Sequence, residues 1–243
     1  MTRLENILTD EVENALKVAG HPKIGHFKVV ADSANAMGST YIDALFKKIP
    51  GNLVRMNFDL DGTFPAHQPD PLQFETLKDL QRKVVKEKAD LGLAPDGDGD
   101  RIFFIDEKGR IVSSSQIIAL VVKELLTIHR GAKILVDLKY IFTPKKSIEE
   151  FGGELVVTKT GHAFITEAMH KNSGLFAGEA SGHYYFGEIG GADAPLPVII
   201  FILAVMTRTG KKLSQLAEEV KVSHESGEIN FKVTNAMEIM EKI

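Results

Sequence analysis

The sequence predicts an α/β fold: two successive α/β/α units with mostly parallel sheets, and the beginning of a further strand–helix element at the C-terminus. Three observations lead there. Two apolar strands, Lys28–Asp32 (KVVAD) and Lys133–Asp137 (KILVD), open the same succession of elements at two places in the chain. Each succession closes on a third strand, Asp90–Ala94 or Gly174–Ala177, that runs directly into a glycine-rich acidic loop, PDGDGDR or GEASGH. Between them, strand-like runs alternate with helical ones, the pattern of α/β units around a parallel sheet.

The elements follow in order. Leu4, Ile7, Leu8, Val12, Ala15 and Leu16 form a helical stripe over 3–19 that stops at Gly20. After the strand at 28–32 come a turn-rich loop (Ser33, Asn35, Gly38) and a helix near 39–48. Second strands are predicted at 52–58 and 154–158, and helices at 78–88 and 165–171. Residues 102–105 read as a strand. The longest apolar run, Ala194–Met206, contains Pro195 and Pro197; it is shorter than the roughly 20 residues a membrane span needs, so a buried helix is expected. Residues 229–233 and those following start a new strand and helix. The boundaries expected are 1–108, 109–225 and 226–243.

Composition narrows the function. With 29 basic and 33 acidic residues the net charge is −4, and 44% of residues are apolar, which excludes a disordered polyelectrolyte. No long basic stripe marks a nucleic-acid grip, and no segment marks a membrane partner. The absence of cysteine removes disulfides and thiolate metal sites and fits a reducing cytoplasm. The acidic, amphipathic N-terminus does not read as a signal peptide.

The chemistry concentrates in Asp96-Gly97-Asp98-Gly99-Asp100-Arg101. Glycines between the carboxylates let the backbone curl so that the oxygens of Asp96, Asp98 and Asp100 converge on one hard cation. Mg²⁺ suits such oxygens and leaves coordination positions open. An EF-hand is excluded because Arg101 stands where that loop needs glycine. In Gly178-Glu179-Ala180-Ser181-Gly182-His183, alternate Glu179, Ser181 and His183 offer an acceptor, a hydroxyl and an imidazole, a set suited to a polyol. Arg101, Lys139 and the KTGH segment (Lys159, His162) supply cations near the ends of strands, as phosphate binding would require. Asp59-Leu60-Asp61-Gly62-Thr63 resembles the nucleophile motif of haloacid-dehalogenase-type phosphatases, with Asp59 as nucleophile, but Phe64-Pro65 follows at once.

Taken together, the residues resemble the α-D-phosphohexomutases, the phosphoglucomutase/phosphomannomutase group. PDGDGDR resembles that family's metal loop and GEASGH its sugar-recognition loop. FPAHQPDP (64–71), VDLK (136–139) and KTGH (159–162) occur in the family's order. The resemblance covers the second and third of four domains. It implies Mg²⁺ on Asp96, Asp98 and Asp100, Arg101 acting beside a phosphoserine, and sugar hydroxyls held by Glu179 and Ser181. Lys139, Lys159, His162 and His183 would line the site around the phosphate. It also implies a hexose phosphate substrate (glucose or mannose phosphate) and a hexose 1,6-bisphosphate activator. The family's T-A-S-H-N-P-like phosphoserine motif and R-x-S-x-T-E-P-like phosphate clamp are missing, Ala36 replaces a usual glycine, and Ala194-Pro195 replaces an acidic–glycine turn. The expectation is therefore the central part of a mutase, inactive alone, either as a fragment of a longer chain or as a split gene product whose phosphoserine and C-terminal domains lie on another chain. The alternatives are a non-catalytic sugar-phosphate-binding module or, on Asp59, a phosphatase.

Overall fold

The computed structural model describes residues 7–225 and 232–242. Two five-stranded sheets are present, and their strand orders are the same. The first runs β2 (Gly51–Met56), β1 (Phe27–Asp32), β3 (Leu91–Pro95), β4 (Ile102–Asp106), β5 (Ile111–Val112). The second runs β7 (Glu154–Thr158), β6 (Lys133–Asp137), β8 (Phe176–Gly178), β9 (Tyr184–Phe186), β10 (Ala192–Asp193). The sequence repeat is thus a repeat of topology.

The expectation of mostly parallel sheets is corrected. β1 pairs parallel with β2 and β3, and β6 with β7 and β8, but β4, β5, β9 and β10 all join antiparallel. The reason is loop length. Only Asp96–Arg101 separate β3 from β4, and only Glu179–His183 separate β8 from β9. A link that short makes a hairpin, whereas a parallel neighbour needs a crossover of a dozen residues or more. Both glycine-rich loops are hairpin turns, and that places them at corresponding corners of the two sheets.

The central strands are buried on both faces, so they read as unbroken apolar runs. Val29 and Ala31 of β1 and Ile134 and Val136 of β6 point into one large core shared by the two units. Val30 points instead to the helix α3 (Lys78–Glu87), and Leu135 to α6 (His162–Asn172), through Leu80, Val84, Ile165 and Met169. The shared core contains α4 (Ser114–Ile128) and α7 (Pro195–Thr209), with α1 (Ile7–Val18), α2 (Gly38–Phe46), α5 (Phe142–Glu150) and α8 (Leu213–Val220) packed around them. The expected buried helix is α7. It starts with Pro195 in its first turn, ends at Gly210 with φ +66°, and is apolar on all sides because it is enclosed. Ser113 caps α4 through a reciprocal capping box with Gln116, so this serine run has a structural role.

The predicted strand at 229–233 falls on residues 229–231, outside the described residues, and on Lys232 and Val233, which lie in no strand; a short exposed helix, α9 (Ala236–Met240), follows. Among the described residues no helix is long and apolar enough to cross a membrane.

Candidate functional site

β3 delivers the chain into the first bend. Asp96 is 2% exposed; its Oδ1 accepts from the backbone N–H groups of Gly99 (3.2 Å) and Arg101 (3.1 Å), and its Oδ2 from Arg101 Nε (2.6 Å). The loop is thereby wound around its own first carboxylate. Gly99 has φ +85°, and a Cβ there would lie 2.9 Å from the Tyr41 ring, so a side chain is excluded both by the backbone and by space. Oxygens of Asp96, Asp98 and Asp100 consequently lie within 4.8 Å of one another. Asp98 is exposed and, among the described residues, accepts no hydrogen bond. Asp100 Oδ1 is buried and receives none. A carboxylate trio with one oxygen sealed from water, lacking a hydrogen-bond donor among the described residues and with Arg101 Nε 4.0 Å away, fits a divalent cation.

The second bend leaves β8 at Gly178 and touches the first. Ile102 N–H donates to Gly182 O (3.2 Å), and His183 Nε2 lies 3.4 Å from Asp100 Oδ2. The other face of the imidazole, Nδ1, is 2.9 Å from Glu179 Oε2 and 2.8 Å from Ser181 Oγ. Glu179, 3% exposed, also accepts from Gly161 N–H (3.0 Å) and Tyr185 O–H (3.3 Å). It therefore ties the GEASGH and KTGH loops together. Burial alone would lower the basicity of His183, but its hydrogen bonds and charge pairing with Asp100 and Glu179 outweigh this and raise its pKa to about 9. The hydrogen bond to His183 holds Asp100 below the usual carboxylate range.

A histidine raised in this way stabilises the fold fully below its unfolded value of about 6.5, and that contribution fades as pH climbs through the folded value. In the chain without divalent ions, the His183 imidazole is expected to titrate by nuclear magnetic resonance near pH 9. Asp100→Asn should bring the midpoint down. A wild-type midpoint at about 7 or below would show that the two carboxylates do not enclose the ring.

The remaining candidates divide. His162 Nδ1 lies 3.2 Å from Asp193 Oδ2, and its ring meets Tyr185 edge-on at 5.4 Å. Asp193 in turn gathers with Asp100 and His183 within 4.8 Å, which links His162 to both bends. Lys139 and Ser181 line a cavity of about 560 Å³ together with Phe103 and Tyr140. Lys159 is exposed and lies over the Phe164 ring at 5.5 Å, a cation–π contact outside the carboxylate cluster. Asp61 accepts from the N–H and hydroxyl of Thr63, and Asp59 O accepts from the Asn35 side chain, so DLDGT is an exposed turn.

Two site residues escape sequence reasoning. Asp193 sits on a two-residue strand just before the proline-led start of α7, where no pattern marks it. Tyr41, 6% exposed on α2, lies beneath Gly99; its hydroxyl is buried without a hydrogen-bond partner among the described residues, and burial, the three aspartates and Glu11 push its pKa well above the ordinary tyrosine value.

The comparisons agree with this geometry. Residues 8–109 match phosphoglucomutase/phosphomannomutase α/β/α domain II, and residues 113–222 match domain III of the same family. A phosphomannomutase of Methanocaldococcus jannaschii is 41% identical over 216 residues, 89% of this chain and 48% of that protein. A phosphoglucomutase of Neisseria meningitidis is 37% identical over 172 residues, 70% of this chain and 37% of that protein. The solved structure of a phosphoglucomutase/phosphomannomutase family protein from Burkholderia thailandensis superposes with a TM-score of 0.81 at 30% identity, covering 88% of this chain and 47% of that one. The chain spans about half the length of the curated relatives it matches. With both bends facing each other and both domain profiles matched in order, the chain belongs to the phosphoglucomutase/phosphomannomutase family, of which it carries the second and third α/β/α domains.

Proposed function

We propose that this chain supplies the metal-binding and sugar-reading parts of a phosphohexomutase, an enzyme that moves a phosphoryl group between two hydroxyls of a hexose phosphate by way of a phosphoserine and a hexose 1,6-bisphosphate. The observation that carries the reading is the contact between the two bends, with His183 held between Asp100 and Glu179. Asp96, Asp98 and Asp100 would hold Mg²⁺, whose chemistry when bound is to neutralise charge on the transferring phosphoryl group. Arg101 is kept beside the cluster by Asp96 and adds a fixed cation at the same edge. Ser181, which lines the cavity, is with Glu179 the proposed reader of sugar hydroxyls. His183 has both ring nitrogens beside carboxylates and His162 has one, and these contacts orient the imidazoles for a proposed part in proton transfer. Lys139, on the cavity wall, and Lys159, in the KTGH loop, are proposed phosphate contacts.

Relatives named phosphomannomutase and phosphoglucomutase both match, so the substrate class proposed is the glucose and mannose phosphates. Residues 1–108 and 109–225 are proposed as the two family domains, and 226–243 as the start of a fourth. The phosphoserine and phosphate-clamp domains would be companions of this chain, and the cysteine-free composition supports a cytoplasmic setting.

The test is a calorimetric titration of Mg²⁺ followed by glucose or mannose 1-phosphate, with an assay for the 6-phosphate in the presence of bisphosphate. Saturable Mg²⁺ binding is expected, lost when Asp96, Asp98 and Asp100 are all replaced by Asn. No interconversion is expected from these 243 residues alone. Turnover by the chain alone, or no Mg²⁺ binding, would overturn the reading.

A further inference from the structure

The mutase reading leaves a buried aspartate and its half-buried histidine partner without a role. Asp32, 3% exposed at the carboxyl end of β1, accepts on Oδ1 from Ala34 N–H (3.1 Å) and the Asn57 amide (2.8 Å). Its Oδ2 faces Nε2 of His67 at 3.1 Å. A carboxylate this deep needs donors on both oxygens, and His67 reaches it from a segment without strand or α-helix between β2 and α3. The other ring nitrogen, Nδ1, lies 2.9 Å from Gln68 O, so the imidazole is fixed at both ends.

Immediately beyond His67 the same segment meets the metal loop twice. Pro69 lies against Gly97: a Cβ added to that glycine would be 3.3 Å from the proline Cγ. Asp70 Oδ1 lies 3.8 Å from Arg101 Nη1, the guanidinium whose Nε pairs with Asp96. The internal repeat offers a contrast. The corresponding carboxylate of the second unit, Asp137 at the end of β6, takes the Thr160 hydroxyl (3.3 Å) and, among the described residues, no histidine. The Asp–His pair belongs to the unit whose hairpin carries three carboxylates.

We propose that Asp32 and His67 are positioning residues for the metal loop: the pair pins residues 64–71 against Gly97 and Arg101 and so fixes the spacing of Asp96, Asp98 and Asp100. This rests on the trio being the cation site. The physical need is clear. Two glycines make the loop pliable, and three mutually repelling carboxylates push it open. A rigid proline on one side and an anion beside the arginine on the other restrain it from outside. Groups bonded directly to metal ligands typically change metal affinity by roughly 10–100-fold when removed; Asp32 and His67 stand further back and act through Pro69 and Asp70, which sets the expectation at the lower end of that range.

The experiment titrates Mn²⁺ alone onto the full 243-residue chain and follows the loss of the free-ion electron paramagnetic resonance signal. His67→Ala is expected to weaken Mn²⁺ binding by about tenfold or more. His67→Gln keeps an N–H donor for Asp32 and should restore affinity to within about threefold of wild type, a rescue that a loss of general stability would not give. Pro69→Ala leaves the buried pair intact and should weaken binding even if His67→Ala fails to fold. A folded His67→Ala chain with wild-type affinity, a Gln variant as weak as Ala, or an unchanged Pro69→Ala would overturn the proposal. Failure of the wild-type chain to bind Mn²⁺ would instead remove the cation site itself.

Discussion

Replacing Asp98 by asparagine is expected to lower divalent-ion affinity at least about tenfold, worth about 1.4 kcal/mol, while the metal-free fold keeps its stability. Each of the other two carboxylates also serves the fold. Asp96 organises the loop backbone and Arg101, and Asp100 holds His183. Asp98 is exposed and makes no such bond among the described residues, so its removal isolates the contribution of the metal. Asparagine has the same shape and one negative charge fewer. Without an ion the variant loses only repulsion between neighbours, and its melting temperature should hold or rise slightly.

With an ion the two proteins should separate. A ligand at about a hundred times its dissociation constant stabilises the native state by about 2.7 kcal/mol. For a chain of this size that corresponds to roughly 5–10 °C in melting temperature. Wild type should gain this amount at such a Mg²⁺ concentration and Asp98→Asn much less. Equal gains in a thermal scan would mean that the ion stabilising the chain sits elsewhere.

Gly182→Ala is expected to cost about 2–6 kcal/mol, the sum of two separate penalties. Gly182 lies at the seam between the units, where its carbonyl accepts from Ile102 N–H. Its φ is +91°, and a Cβ would fall 2.6 Å from Cε2 of Phe103, a 5% exposed residue of β4. Positive φ with a side chain costs about 1–3 kcal/mol, and forcing a methyl into a packed contact costs about 1–3 more. Gly190 separates the two causes. Its φ is +76°, but nothing lies within 4 Å of a Cβ built there. Gly190→Ala should therefore show the backbone penalty alone. Urea unfolding should place the Gly182 variant at least about 1 kcal/mol below the Gly190 variant. Equal losses would mean that the second bend does not press on β4 as closely as described.

Much of the site was legible because its signals are local. The alternation of aspartate and glycine over 96–100 permits a curled loop with converging oxygens. The repeat of KVVAD and KILVD and the all-apolar 194–206 run report burial on both faces of a strand or on all sides of a helix, and they led to β1, β6 and α7. The antiparallel half of each sheet was harder to see. β9 and β10 are three and two residues long, too short for any periodicity, although the length of the loops before β4 and β9 already forbade a parallel return.

What the sequence alone determined is the inventory: three carboxylates on a pliable turn, a Glu-Ser-His bend, and two copies of one succession of elements to carry them. Only the tertiary structure decided how these are wired. It buries Glu179 among Gly161, Tyr185 and His183, brings Asp193 to His162, turns Lys159 toward Phe164, and sets Asp32 and His67 behind the metal loop. The division has one physical cause. Turn geometry and burial patterns arise between near neighbours in the chain, whereas hydrogen bonds and ion pairs across the seam depend on where packing places residues that the sequence keeps far apart.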